Sequence, residues 1–219
     1  MIDNLTERLS DAFTLIPNGE IVLDVGADRG LLAKELAKSG WKTYASENKK
    51  GPYSGLVTNT AKEQKENGLV CLFMDGIDNM PSDVTLVSLL GMGGNTIHNI
   101  LSRHPMKLKT LHYVLLEPQS DFREAISLLH DCGFSSVGGK YVYERRYYPL
   151  LLMKNIGNVS SVSEAELHYG SYPLLHKDPL LLSYLKKEEK RILALPLSIQ
   201  EKKEAELSLL HSALSFYER

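Results

Sequence analysis

Residues 23–30 read LDVGADRG, so Asp24, Gly26, Asp28 and Gly30 fall on alternate positions straight after an apolar run. Glycine at position 26 lets the chain turn tightly and lets a ligand approach the backbone. The two carboxylates supply acceptors beside it. The spacing is G-x-x-x-G and lacks the third glycine of a dinucleotide-binding G-x-G-x-x-G turn. Two acidic groups would repel a pyrophosphate and attract a cation. S-adenosylmethionine carries an ammonium and a sulfonium and no phosphate, so the loop favours it over NAD. A competing role for Asp28 is to cap the N–H groups of the helix that follows.

Three further features fall at comparable places. Glu47, with Asn48 after it, ends a second apolar run about twenty residues on, where an acidic group can accept from ribose hydroxyls. MDG at 74–76 ends a third run. There Asp75 can bond an adenine amino group while Met74 packs beside the base, although Asp-Gly is also a common turn. GMGG at 91–94 ends a fourth. Three glycines in four positions make sense where backbone must come close to a ligand, or simply as a flexible turn. The donor-facing set is therefore Asp24, Gly26, Ala27, Asp28, Glu47, Asn48, Met74, Asp75, Gly76, Gly91 and Met92.

These residues need a frame that brings strand ends together, and the pattern supplies one. Apolar residues Ile2, Leu5, Leu9, Phe13 and Ile16 predict a helix over 2–16, stopped by PNG at 17–19. Strands are expected at 20–25, 42–47, 69–74, 84–90 and 112–118. Helices are expected at 29–38, about 52–66, 95–104 and 120–131. Such alternation marks a mostly parallel sheet wrapped by helices, with ligands bound outside the carboxyl ends of its strands. Runs 134–146 and 147–155 have almost nothing between them and predict an antiparallel hairpin at the sheet's end. The stretch from 156 is polar and lacks strong periodicity. From 180 a helical hairpin is expected, broken at Pro196, with Leu181, Leu185 and Ile192 on one face and Leu207, Leu210 and Leu214 on the other arm. The expected division is a ligand-binding domain over 1–155 and a connector with helical hairpin over 156–219.

The chain has 219 residues, 43% of them hydrophobic, and a formal net charge of −2. No apolar run approaches a membrane span, and the polar N-terminus has no signal-peptide block, which predicts a cytoplasmic protein. Cys71 and Cys132 lie far apart without metal spacing, and His98, His104 and His112 show none either, so no metal is expected. An acidic total does not advertise nucleic acid, which would need local basic patches. Candidates are Arg29, Lys49 and Lys50; Arg103, Lys107 and Lys109; Arg145 and Arg146; and Lys186, Lys187, Lys190 and Arg191, each of which could equally be a solvated face.

The motifs LDVGADRG, GPYSG (51–55), MDG, GMGG, LLEPQ (115–119) and HYGSYPLL (168–175) occur in order over nearly the whole chain. Together they resemble the bacterial tRNA (adenine-22-N1)-methyltransferase family (TrmK). The resemblance implies a Rossmann-like, S-adenosylmethionine-dependent methyltransferase domain with a C-terminal coiled-coil domain, and tRNA as partner. It makes Arg29, Gly91, Met92, Gly93, Glu117, Pro118 and Gln119 the substrate-facing positions, and it names no general base. Several of these depart from the family pattern. Arg29 stands where His is usual, Leu31 where Tyr is usual, and LEPQ replaces LQPN, which exchanges an amide for the Glu117 carboxylate. A methyltransferase for another RNA site or a small molecule, and a non-catalytic RNA- or protein-binding module on the same fold, are the alternative readings.

Overall fold

The computed structural model describes residues 5–218; Ile2, the first residue of the expected N-terminal pattern, lies outside them. In chain order the elements are α1 (Glu7–Leu15), β1 (Val22–Val25), α2 (Leu31–Lys38), β2 (Thr43–Glu47), α3 (Lys50–Asn59), α4 (Ala61–Glu66), β3 (Val70–Phe73), β4 (Leu86–Met92), α5 (Gly94–Ser102), α6 (Pro105–Leu108), β5 (Tyr113–Pro118), α7 (Arg123–Asp131), β6 (Phe134–Glu144), β7 (Arg146–Asn155), α8 (Glu164–Tyr169), α9 (Ser171–Leu175), α10 (Pro179–Leu193), α11 (Leu197–Gln200) and α12 (Glu204–Glu218).

The seven strands form one sheet in the order β3-β2-β1-β4-β5-β7-β6. The first five are parallel to one another, and β7 runs antiparallel to both β5 and β6. The strand order reverses at β1 and β4, and ligands of open α/β sheets bind at such a switch point. All four residues of β1 are buried, as expected of a central parallel strand covered on both faces. Leu23, Val87, Val114 and Leu116 pack with α5 and α7 on one face, while Val22, Leu86 and Leu115 pack with α1 and α2 on the other.

Three differences from the sequence pattern have physical causes. The helix expected over 52–66 breaks at Thr60, whose hydroxyl bonds back to the Leu56 carbonyl at 2.8 Å. The fourth strand runs on to Met92 instead of ending at Leu90. Gly91 adopts φ +72° and is an extra residue in the β4–β5 ladder, a bulge that turns the strand end. The polar stretch after 155 forms α8, started by a capping box in which Ser163 and Glu166 bond reciprocally.

Helices α10 and α12 share a third core, built on Leu181, Leu185, Ile192, Leu210 and Ala213, with Leu207 and Leu214 packed against it. Tyr141 of β6 belongs to the same core. The helical tail is therefore seated on the hairpin edge of the sheet.

Candidate functional site

The carboxyl ends of β1, β2, β3 and β4 open into two cavities that meet at Gly26. The first, of about 420 Å³, is walled by Gly26, Glu47, Asn48, Met74, Asp75, Gly76 and Met92, with Asn99 and Arg103 from the α5 side. The second, of about 280 Å³, is walled by Asp24, Gly26, Ala27, Asp28, Arg29, Gly91 and Glu117, with Thr6, Arg8 and Leu9 from the N-terminal segment. Every residue of the sequence-derived donor set lines one cavity or both.

Local geometry explains how the loop after β1 is held. Gly26 sits at φ +65°, and a Cβ there would lie 2.6 Å from Met92 Cε. Asp28 also has positive φ, 50°. Its N–H donates to Glu47 Oε1 at 2.7 Å, so the second strand's acidic residue fastens the first strand's loop. Helix α2 begins after Gly30 with no side-chain cap, and the capping role weighed for Asp28 is not used.

Asp24 is buried beneath this loop and accepts from Ser88 Oγ at 2.8 Å. Burial pushes its carboxyl up to about 7, against the Ser88 hydrogen bond and with a further push from the Glu47 charge. A desolvated carboxyl beside an open cavity is a ready partner for a ligand cation. Asp75 is in the opposite state. Arg103 Nη1 donates to its Oδ2 at 2.7 Å and Asn48 Nδ2 to its Oδ1 at 2.9 Å, and these bonds hold the carboxyl below its ordinary range. Arg103 also reaches Asp78 at 3.2 Å. Expected on a basic patch for substrate, Arg103 instead forms part of the first cavity's wall and is committed to two carboxylates.

The substrate-facing positions divide similarly. Arg29 is exposed at the second cavity. Glu117 is buried, and Arg8 Nη1 donates to both of its carboxylate oxygens at 2.7 Å. Burial raises the Glu117 carboxyl and the adjacent guanidinium pulls it back. Arg8 Nε binds Glu144 at 2.9 Å, and the guanidinium lies 4.4 Å from the Tyr148 ring centre. Sequence reasoning missed Arg8 altogether. The Gln119 N–H donates to the Met92 carbonyl at 2.8 Å, and its side-chain carbonyl accepts from Arg146 Nη2 at 3.1 Å. Gly94 has a packing reason rather than a ligand reason, because a Cβ there would lie 1.7 Å from the Asp121 carbonyl oxygen.

A third cavity, of about 1040 Å³, lies between the β5 end, the β6–β7 hairpin and the tail. Pro118 and Gln119 form one wall, and Tyr141, Tyr147, Tyr169 and Tyr184 form much of the rest. Nothing local in the sequence marks it, since its tyrosines come from four separate elements.

The remaining basic and imidazole groups are placed plainly. Lys49, Lys50 and Lys109 are exposed, while Lys107 Nζ binds the backbone carbonyls of Ile77 and Asp78. His104 pairs with Asp78 and His112 with Glu20. Arg191 is bound to Glu188 at 2.7 Å and Glu206 at 3.0 Å, and so ties α10 to α12. Among the described residues no group of three side chains could hold a metal ion, and no helix is long and apolar enough to cross a membrane.

Comparison with known proteins agrees with this frame. No curated protein matches the chain in sequence. Among solved structures, Streptococcus pneumoniae Sp1610 crystallised with S-adenosyl-L-methionine superposes with a TM-score of 0.85 at 24% identity, covering 96% of this chain and 99% of that one. M. capricolum TrmK, in complex with the cofactor product S-adenosylhomocysteine, gives 0.80 at 19% identity over 97% and 98% of the two chains. The B. subtilis m1A22 tRNA methyltransferase TrmK gives 0.78 at 18% identity over 95% and 98%. At these identities the likeness is one of fold. The family model described as "Methyltransferase domain" matches residues 5–151, and with two thirds of its length inside that model the chain belongs to the methyltransferase-domain family.

Proposed function

We propose that this chain uses S-adenosylmethionine to methylate N1 of an adenine in tRNA, at position 22. The observation that carries the reading is the convergence of four successive strand ends on paired cavities joined at Gly26, with a desolvated Asp24 in the second. The residues fit the donor. Asp24 offers its buried carboxyl to an ammonium, and the exposed Arg29 offers a cation to a carboxylate. Glu47 stands where ribose hydroxyls need an acceptor, and Met74 and Asp75 flank a slot for a base. When bound, the donor supplies a methyl group activated on a sulfonium.

The chain's own contribution is placement. Adenine N1 has a lone pair, so neither a covalent enzyme nucleophile nor a general base is required. What is required is in-line approach at short range. N1 lies on the Watson–Crick edge, so the base must be unpaired before it can enter. The methylated base carries positive charge, which acceptor groups lining the cleft can stabilise as it develops. Residues 1–155 serve donor binding and methyl transfer in this reading, and residues 156–219 serve substrate contact. In this reading the protein is cytoplasmic, where tRNA is met. The tRNA assignment draws on the similarity to the B. subtilis m1A22 enzyme.

The test is incubation with labelled methyl donor and unmodified tRNA, followed by nucleoside analysis. Labelled 1-methyladenosine is expected. Label in a different nucleoside, or none with donor bound, overturns the assignment.

A further inference from the structure

The β6–β7 hairpin ends in a turn of one residue, since Glu144 pairs directly with Arg146. That residue is Arg145, held at φ +64°. Glycine or asparagine would occupy this conformation at less cost. An exposed arginine kept there suggests a use for its charge. Beside it the aromatic rings form a continuous series. Tyr143 and Tyr147 lie 4.9 Å apart between ring centres, Tyr147 and Tyr184 5.5 Å, and Tyr184 and Tyr169 6.5 Å. Tyr143 is 48% exposed at the outer end, and the inner end opens into the large cavity at Gln119. Lys187 of α10 places its ammonium 5.7 Å from the Tyr147 ring centre. Among the described residues no carboxylate pairs with Arg145 or Lys187.

We propose that this turn is a stacking platform for single-stranded RNA. Bases flanking the target adenine stack on Tyr143 and Tyr147 while Arg145 and Lys187 take the adjoining phosphates. The inference rests on the tRNA reading above and deepens it by naming the surface used. Three observations favour RNA over a protein partner. The exposed cations Arg145 and Lys187 flank the exposed Tyr143 ring and the half-buried Tyr147 ring, the mix of cations and ring faces from which sequence-tolerant single-strand sites are built. The series leads from solvent to the end of β5, beside the methyl-transfer cleft. The exposed end also offers tyrosines rather than a contiguous aliphatic patch.

The test uses the full chain and a fluorescein-labelled eight-nucleotide oligoadenylate, read by anisotropy across a salt series. An abasic strand of the same length serves as control. The parent is expected to bind the oligoadenylate more tightly than the abasic strand. Tyr143→Ala should weaken binding about ten-fold, the order expected for one stacked base, and should narrow the gap to the abasic strand. Arg145→Gly relieves the backbone, so the fold is kept, and should lower the salt slope by about 0.7, the value for one phosphate on a single strand. Oligoadenylate binding that is unchanged in both variants overturns the platform, even if the chain methylates tRNA. A parent that prefers the abasic strand also overturns it and leaves the turn to a protein partner. Ring-dependent oligoadenylate binding by a chain that methylates no tRNA upholds the platform and rejects the proposed substrate.

Discussion

Arg8 Nη1 lies 2.7 Å from each carboxylate oxygen of Glu117, and with Glu144 it joins α1, the end of β5 and the hairpin turn across one wall of the second cavity. Where the resembling family has an amide at the 117 position, this chain has a buried charge together with a cation that answers it. Removing one partner of a buried pair leaves the other uncompensated. Arg8→Ala should therefore cost about 3–5 kcal/mol of stability. Glu117→Gln should cost less, because an amide can still accept from the guanidinium. The double variant Arg8→Ala/Glu117→Gln should recover much of the loss. Denaturant melts of the three variants check this, and additive losses would show the pair to be uncoupled.

Glu47 has two tasks, accepting from the Asp28 N–H and, in the proposed reading, from ribose hydroxyls. Glu47→Ala should weaken donor binding by about 1.5–3 kcal/mol, the range for hydrogen bonds to a charged group. Stability should fall by only about 1 kcal/mol, because the lost Asp28 N–H bond is solvent-exposed and water replaces it. Calorimetric titration with S-adenosylmethionine and a thermal melt separate the two effects. Unchanged donor affinity in the folded variant would place Glu47 outside the ribose site.

Asp24 gives the site a pH dependence. Its carboxyl rises from an ordinary value near 3.8 to about 7 in the folded chain. Between those pH values the folded state holds more protons than the unfolded state, so stability falls as pH rises through the window and levels off above it. The total is about 4 kcal/mol for a shift of this size, and Asp24→Asn should flatten the curve. Donor binding should run the other way. An ammonium selects the ionised carboxyl, so affinity should drop about ten-fold per unit below pH 7, with up to one proton released on binding. Titrations at pH 6 in buffers of different ionisation enthalpy measure that proton. None released would remove Asp24 from the ammonium site.

The sheet was readable because parallel strands buried on both faces appear as short apolar runs, and the residues that wall the two cavities were readable because the strand ends there are marked by Asp, Glu and Gly. The GMGG glycines looked alike in sequence but serve different ends. Gly91 makes a bulge at φ +72°, whereas Gly94 makes room for the Asp121 carbonyl. Helix α8 was written in the Ser163–Glu166 capping box, yet six residues are too few turns for a hydrophobic period to emerge. Arg8 carried no local mark, since its partner lies 109 positions away. Arg103 was marked as basic, but its commitment to Asp75 and Asp78 depends on the packing of α5 against the third strand's end.

The tail offers the sharpest test of how substrate is held. Removing it would uncover Tyr141 and the rest of the third core, so truncation would mix lost stability with lost contact. Charge reversal avoids this, and the ion pairs decide which residues to reverse. Arg191 bridges Glu188 and Glu206 and must stay. Lys186, Lys187 and Lys190 are exposed on α10, and among the described residues none pairs with a carboxylate. Their triple change to Glu should leave the melting temperature and the donor Kd as in the parent and raise the KM for tRNA. If all three meet duplex phosphates, the slope of log K against log salt should fall in magnitude by about 2.7, at about 0.9 per contact. A drop near 1 would assign the effect to Lys187 alone, and with it to the hairpin turn rather than the helix face. Equal methylation by variant and parent at every salt concentration would make the lysine face a solvated surface with no part in tRNA binding.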